Sequence, residues 1–116
     1  MKIRSERIVV TTRAFSKDSF LRGELLKQFP NSKFNIEGKK LAGEELVNFI
    51  KYADGIIIGL ESINGNILKC CPNLKIIAKY GVGLDNVNIN DCSNNNIDAV
   101  RAIWFGKKIS LLNQLK

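Results

Sequence analysis

Gly81, Val82 and Gly83 form a Gly-x-Gly turn directly after an apolar run that ends in Lys79-Tyr80. Glycines on both sides of Val82 let the backbone curl so that successive N–H groups face one point, an arrangement that accepts a carboxylate or a phosphate. Lys79 places a cation beside it. A dinucleotide fingerprint would need Gly-x-Gly-x-x-Gly and an acid about 20 residues further on. The third glycine position holds Asn86, and Ile103 and Trp104 stand where the acid should be. The turn is therefore an anion cradle or a tight strand exit, and not a nucleotide fingerprint.

A second turn, Gly59-Leu60-Glu61-Ser62, offers Glu61 as its single acid, either lining the same ligand edge or serving as a turn or capping residue. The chain has no histidine, the group most often used for proton transfer near neutral pH. No nucleophile–base pair and no paired carboxylates emerge. Thr11-Thr12-Arg13 with Ser16 could bind phosphate or a flavin at a helix start, although capping alone accounts for Ser16. Cys70, Cys71 and Cys92 show no Cys-x-x-Cys spacing, and adjacent cysteines are seldom bridged, so idle or buried thiols are expected rather than a metal site.

Those turns need strands to carry them. Gly55–Gly59 and Leu74–Ala78 are too short for helices, are rich in isoleucine, and read as parallel strands buried on both faces. A brief helix over Asn64–Cys71, with Ile67 and Leu68 inward and Asn64 or Ser62 capping, supplies the crossover that parallel neighbours require. Upstream, Arg7–Thr12 is a first, central strand. Ser16 is the expected cap of a helix running to about Phe29, whose inward face is Leu21, Leu25, Leu26 and Phe29. Lys33–Ile36 is an edge strand, Gly43–Ala53 a helix facing inward through Leu46, Val47 and Ile50, and Ile97–Val100 a weak fifth strand after a helical turn within Asp85–Asn94. Alternation of strands and helices predicts an α/β, flavodoxin-like doubly wound parallel sheet of about five strands in a single domain. Residues 101–116 read as a divergent tail, helical from Ile109 to Leu115, with Trp104 and Phe105 beside no obvious sheet position.

At 116 residues, 45% apolar and 25% charged, the composition is that of one folded unit. The net charge of +7 comes from scattered lysines and arginines without interleaved aromatics, which argues against nucleic acid. No apolar run suits a membrane span or a signal peptide, so no membrane partner and a cytoplasmic location are expected.

Val10–Ser16, Ala53–Glu61 and above all Pro72–Val87 together resemble the D-isomer-specific 2-hydroxyacid dehydrogenases, nearest to phosphoglycerate-dehydrogenase-like members, over roughly Arg7 to Val100. That resemblance implies the substrate-binding, so-called catalytic, domain, residues 1–100 here. In it the N–H groups of Val82 and Gly83 hold the carboxylate of a small 2-hydroxy or 2-oxo acid, with Gly81, Lys79, Leu60 and Glu61 lining the same edge. NAD is the family's cofactor, but the nucleotide-binding domain and the catalytic arginine, glutamate and histidine have no counterparts in these 116 residues. NAD is accordingly not expected to bind this chain alone. The departure from the family at Arg101–Lys116 looks like the end of a truncated or frameshifted reading frame. In the family a returning C-terminal segment also completes this domain, so its apolar docking surface is expected to be uncovered here and open to self-association, a nucleotide-binding half being the other partner that the resemblance implies.

Overall fold

The structure, a computed structural model, describes residues 5–80, 86–105 and 108–113, with side chains through Val100. The chain opens with β1 (Ile8–Val10), followed by α1 (Arg13–Lys17), α2 (Ser19–Gln28), the edge strand β2 (Lys33–Phe34) and α3 (Gly43–Ile50). Next come β3 (Gly55–Ile58), α4 (Gly65–Leu68), β4 (Ile76–Lys79), α5 (Ile89–Asn94), β5 (Asp98–Phe105) and β6 (Lys108–Asn113). The sheet order is β2-β1-β3-β4-β5-β6. Its first five strands are parallel, which is the flavodoxin-like order, and β6 closes the edge antiparallel to β5.

Side chains alternate across the sheet as the pleat requires. Val9, Ile56, Ile58, Ile77 and Ala99 join Leu46, Ile50, Leu68 and Cys92 in one core, beneath α3, α4 and α5. Ile8, Val10, Ile57, Ala78 and Val100 join Phe15, Leu21 and Leu25 in the other, beneath α1 and α2. Both faces are thus dry, and the continuous isoleucine runs follow from that. Gly55 has a packing reason: a Cβ there would lie 2.9 Å from Ile76 Cγ2 and 3.0 Å from Ile8 Cδ1.

Some local expectations are corrected. Ser16 is not a cap but a buried residue of α1, its hydroxyl donating to the Val10 carbonyl at 3.4 Å and accepting from the Asn35 N–H at 3.0 Å. The cap of α2 is Asp18, whose carboxylate accepts from the N–H groups of Phe20 and Leu21 at 3.0 and 3.1 Å, while Leu26 is exposed rather than inward. Asn64, not Ser62, caps α4.

The larger difference lies at the C-terminal end. In place of the helix expected over Ile109–Leu115, residues 109–113 are strand, and residues 114–115 lie outside the described residues: Lys108–Asn113 pairs with β5 from Phe105↔Lys108 to Val100↔Asn113. Seven residues nucleate a helix poorly in water, whereas pairing satisfies the facing backbone groups of β5 and β6 at once. Trp104 and Phe105 accordingly occupy strand positions, Trp104 opposite Ile109. No helix among the described residues is long and apolar enough to cross a membrane.

Candidate functional site

A cleft of about 660 Å³ opens at the carboxyl ends of β1, β3 and β4, lined by Thr12, Arg13, Ala14, Lys39, Lys40, Leu41, Gly59, Leu60, Glu61, Lys79 and Tyr80. It includes the gap between β1 and β3, where the strand order reverses and open α/β sheets bind their ligands. A second cavity, of about 400 Å³, lies toward the opposite ends of these strands and is walled by Ile8, Leu25, Phe29, Ile56, Ile57 and Ile76 among others. It is mostly apolar and lacks a convergent cluster of cations. The carboxyl-end cleft has four, Arg13, Lys39, Lys40 and Lys79, against the carboxylate of Glu61. Lys39 also faces Glu37 at 3.2 Å, but both side chains are exposed and such a pair holds little.

The cleft is built from the strand exits. Gly59 is glycine because the exits of β1 and β3 run close together: a Cβ there would meet Thr12 Oγ1 at 3.0 Å and Thr12 Cβ at 3.1 Å. Glu61 turns back on its own strand, its Oε1 accepting from the Gly59 N–H at 2.8 Å and from the Thr11 hydroxyl at 2.9 Å. It is a brace between β1 and β3 rather than a solvent-facing turn residue. Leu60, at the tip of the same turn, is 89% exposed. Lys79 ends β4, is 5% exposed, and donates from Nζ to Asn86 Oδ1 at 2.7 Å. Tyr80 follows, its ring meeting Phe15 edge-on at 5.2 Å.

Of the residues expected to hold an anion, Lys79, Leu60 and Glu61 therefore come to one edge, and Gly81, Val82 and Gly83 lie outside the described residues. Of the Thr11–Ser16 cluster, Thr12 and Arg13 line the cleft. Thr11 and Ser16 are fully buried and their hydroxyls are engaged inside the fold, the Thr11 hydroxyl with Glu61 and the Ile57 carbonyl.

Two residues escaped the sequence reading. Asn86 donates from Nδ2 to the carbonyls of Gly59 and Glu61, at 3.0 and 2.6 Å, joining the β3 turn to the residue that receives Lys79. Asn35, nearly fully buried, donates to the carbonyls of Thr11 and Lys39 at 2.9 and 2.8 Å and fixes the loop that carries Lys39 and Lys40. Asn86 had a visible signal, because an amide stood where the fingerprint's last glycine was sought. Asn35 had none, since it reads as an ordinary polar residue of an edge strand.

Residues 11–104 match the family described as D-isomer specific 2-hydroxyacid dehydrogenase, catalytic domain. The chain belongs to that family. A D-3-phosphoglycerate dehydrogenase of Archaeoglobus fulgidus is 30% identical over 63 residues, 53% of this chain and 12% of that protein. Among solved structures, an NAD+-bound 3-phosphoglycerate dehydrogenase of Entamoeba histolytica superposes with a TM-score of 0.69 at 29% identity, covering 84% of this chain and 33% of the other. The D-lactate dehydrogenase of Escherichia coli, at 16% identity and a TM-score of 0.67 over 86% of this chain and 32% of the other, shares the fold. The chain thus spans about a third of the length of these solved dehydrogenases.

Proposed function

We propose that this chain is the substrate-carboxylate-binding half of an NAD-dependent D-2-hydroxyacid dehydrogenase and performs no hydride transfer by itself. The observation that carries the proposal is the cation-rich cleft at the carboxyl ends of β1, β3 and β4, inside the segment that matches the catalytic domain. A small 2-hydroxy or 2-oxo acid would place its carboxylate against the N–H groups of Val82 and Gly83, with Gly81 giving the turn its freedom and the Lys79 ammonium alongside. Leu60 and Glu61 would border the same edge, Glu61 by holding the β1 and β3 exits in place.

NAD, when bound in such enzymes, accepts or supplies the hydride. The described residues do not fit it. The turn after β1, Thr11-Thr12-Arg13, has no glycine to let a pyrophosphate approach, and the Thr11 hydroxyl is committed to Glu61. No imidazole is present to move the substrate proton near neutral pH. What the chain's own residues do is bind and orient an anion, and the implied partner is a nucleotide-binding half.

Titration of the purified chain with D-lactate, D-glycerate and oxamate, followed by amide NMR shifts, together with an NADH absorbance assay, tests this. Weak binding with no turnover is expected. Robust turnover by the 116 residues alone overturns the incapacity, and no response to any of these acids overturns the substrate role.

A further inference from the structure

Lys79 is buried at the rim of the cleft, and its observed partner is a neutral amide. Buried charges are ordinarily matched by opposite ones, because stripping water from an ammonium is costly. Among the described residues no carboxylate is paired with it. Glu61, the acid of the cleft lining, directs Oε1 to the Thr11 hydroxyl and the Gly59 N–H. Arg13, Lys39 and Lys40 line the same cleft and add positive charge to it.

The neutrality of the partner is enforced by its surroundings. Asn86 Nδ2 donates to two carbonyls, those of Gly59 and Glu61, and this fixes the amide so that Oδ1 faces Lys79. An aspartate could accept from Lys79 but would set a carboxylate oxygen against those two carbonyls. The position takes an amide, and an amide leaves the charge of Lys79 uncompensated among the described residues.

We propose that Asn86 is a positioning residue that holds the Lys79 ammonium in the cleft without neutralising it, reserving the charge for an anionic group of the bound substrate. The proposal rests on the substrate-half reading for the nature of that anion. It assigns the cleft an arrangement that gives up stability in the empty protein for affinity in the loaded one.

The test measures melting temperature and the binding of oxamate and of inorganic phosphate, over a range of salt, in wild type, Lys79→Met, Lys79→Arg, Asn86→Ala and the double variant Lys79→Met/Asn86→Ala. Lys79→Met is expected to melt no lower than wild type while binding oxamate about tenfold or more weakly, the loss of a charge-assisted contact, and with a reduced salt dependence. Lys79→Arg is expected to restore most of that binding. Asn86→Ala should weaken binding, and the double variant should bind no more weakly than Lys79→Met alone, because the amide acts through the lysine.

Unaltered binding in Lys79→Met, or a lowered melting temperature that Lys79→Arg restores without any change in affinity, overturns the proposal. So does an Asn86→Ala protein that binds as wild type. Should Asn86→Ala fail to fold, Asn86→Gln, which keeps both donor and acceptor, is read in its place, weakened binding supporting the proposal and wild-type binding overturning it. Stabilisation by phosphate that depends on Lys79, with no response to oxamate, would uphold the reserved charge and sink the substrate-half reading instead.

Discussion

The Thr11 hydroxyl donates to the Glu61 carboxylate at 2.9 Å, tying the exits of β1 and β3 together across 50 residues of chain. The same carboxylate oxygen accepts from the Gly59 N–H, so one side chain closes both sides of the gap where the sheet order reverses.

Glu61→Ala should therefore destabilise the protein by about 1–3 kcal/mol, because the partly buried Gly59 N–H loses its acceptor and the buried Thr11 hydroxyl keeps only its longer contact, 3.3 Å to the Ile57 carbonyl. Glu61→Gln keeps an acceptor and should lose less. Urea unfolding measures both, and equal losses would show that the charge of Glu61, not its position, holds the exits.

Gly55→Ala tests the packing of the sheet. Its Cβ would stand 2.9 Å from Ile76 Cγ2 and 3.0 Å from Ile8 Cδ1, branches of residues themselves held in strands. The expected cost is about 1–3 kcal/mol from overpacking, despite alanine's lower loss of backbone freedom. A stabilised variant in thermal unfolding would mean that β1, β3 and β4 are less tightly set than this geometry.

Asp18→Ala removes the cap of α2 and should cost about 1 kcal/mol, whereas Asp18→Asn, also a good cap, should cost little. Asp18 is exposed and does not line the cleft, so neither change should affect oxamate binding. Chemical denaturation alongside the binding titration checks this.

Burial raises the Cys71 thiol from 9.0 to about 11, with a smaller contribution from the charge of neighbouring Cys70, and burial raises Cys92 as well, aided by Asp91. The folded state therefore holds these protons more tightly than the unfolded chain. The associated stability is fully present below pH 9 and is lost as pH rises through about 11. Thermal melts from pH 8 to 11 should fall more steeply for wild type than for Cys71→Ala, and parallel curves would count against this. Cys70, the exposed thiol, should react with a disulfide reagent in the native protein, and Cys71 and Cys92 only on unfolding.

Sequence alone determined the parallel strands and their order in the chain, because Ile8–Val10, Gly55–Ile58 and Ile76–Lys79 are short apolar stretches whose hydrophobicity is a local property that any fold must bury. It also placed Lys79 and Glu61 at one edge of the sheet, since strand exits of a doubly wound sheet come together wherever the strands are parallel. Tertiary structure alone decided how those groups are used. The Lys79–Asn86 contact, the Thr11–Glu61 brace and the placing of Asn35 each join parts of the chain whose meeting no local pattern encodes. The pairing of Lys108–Asn113 with β5 was settled in the same way: an exposed edge with unsatisfied backbone groups prevailed over a weak local preference for helix.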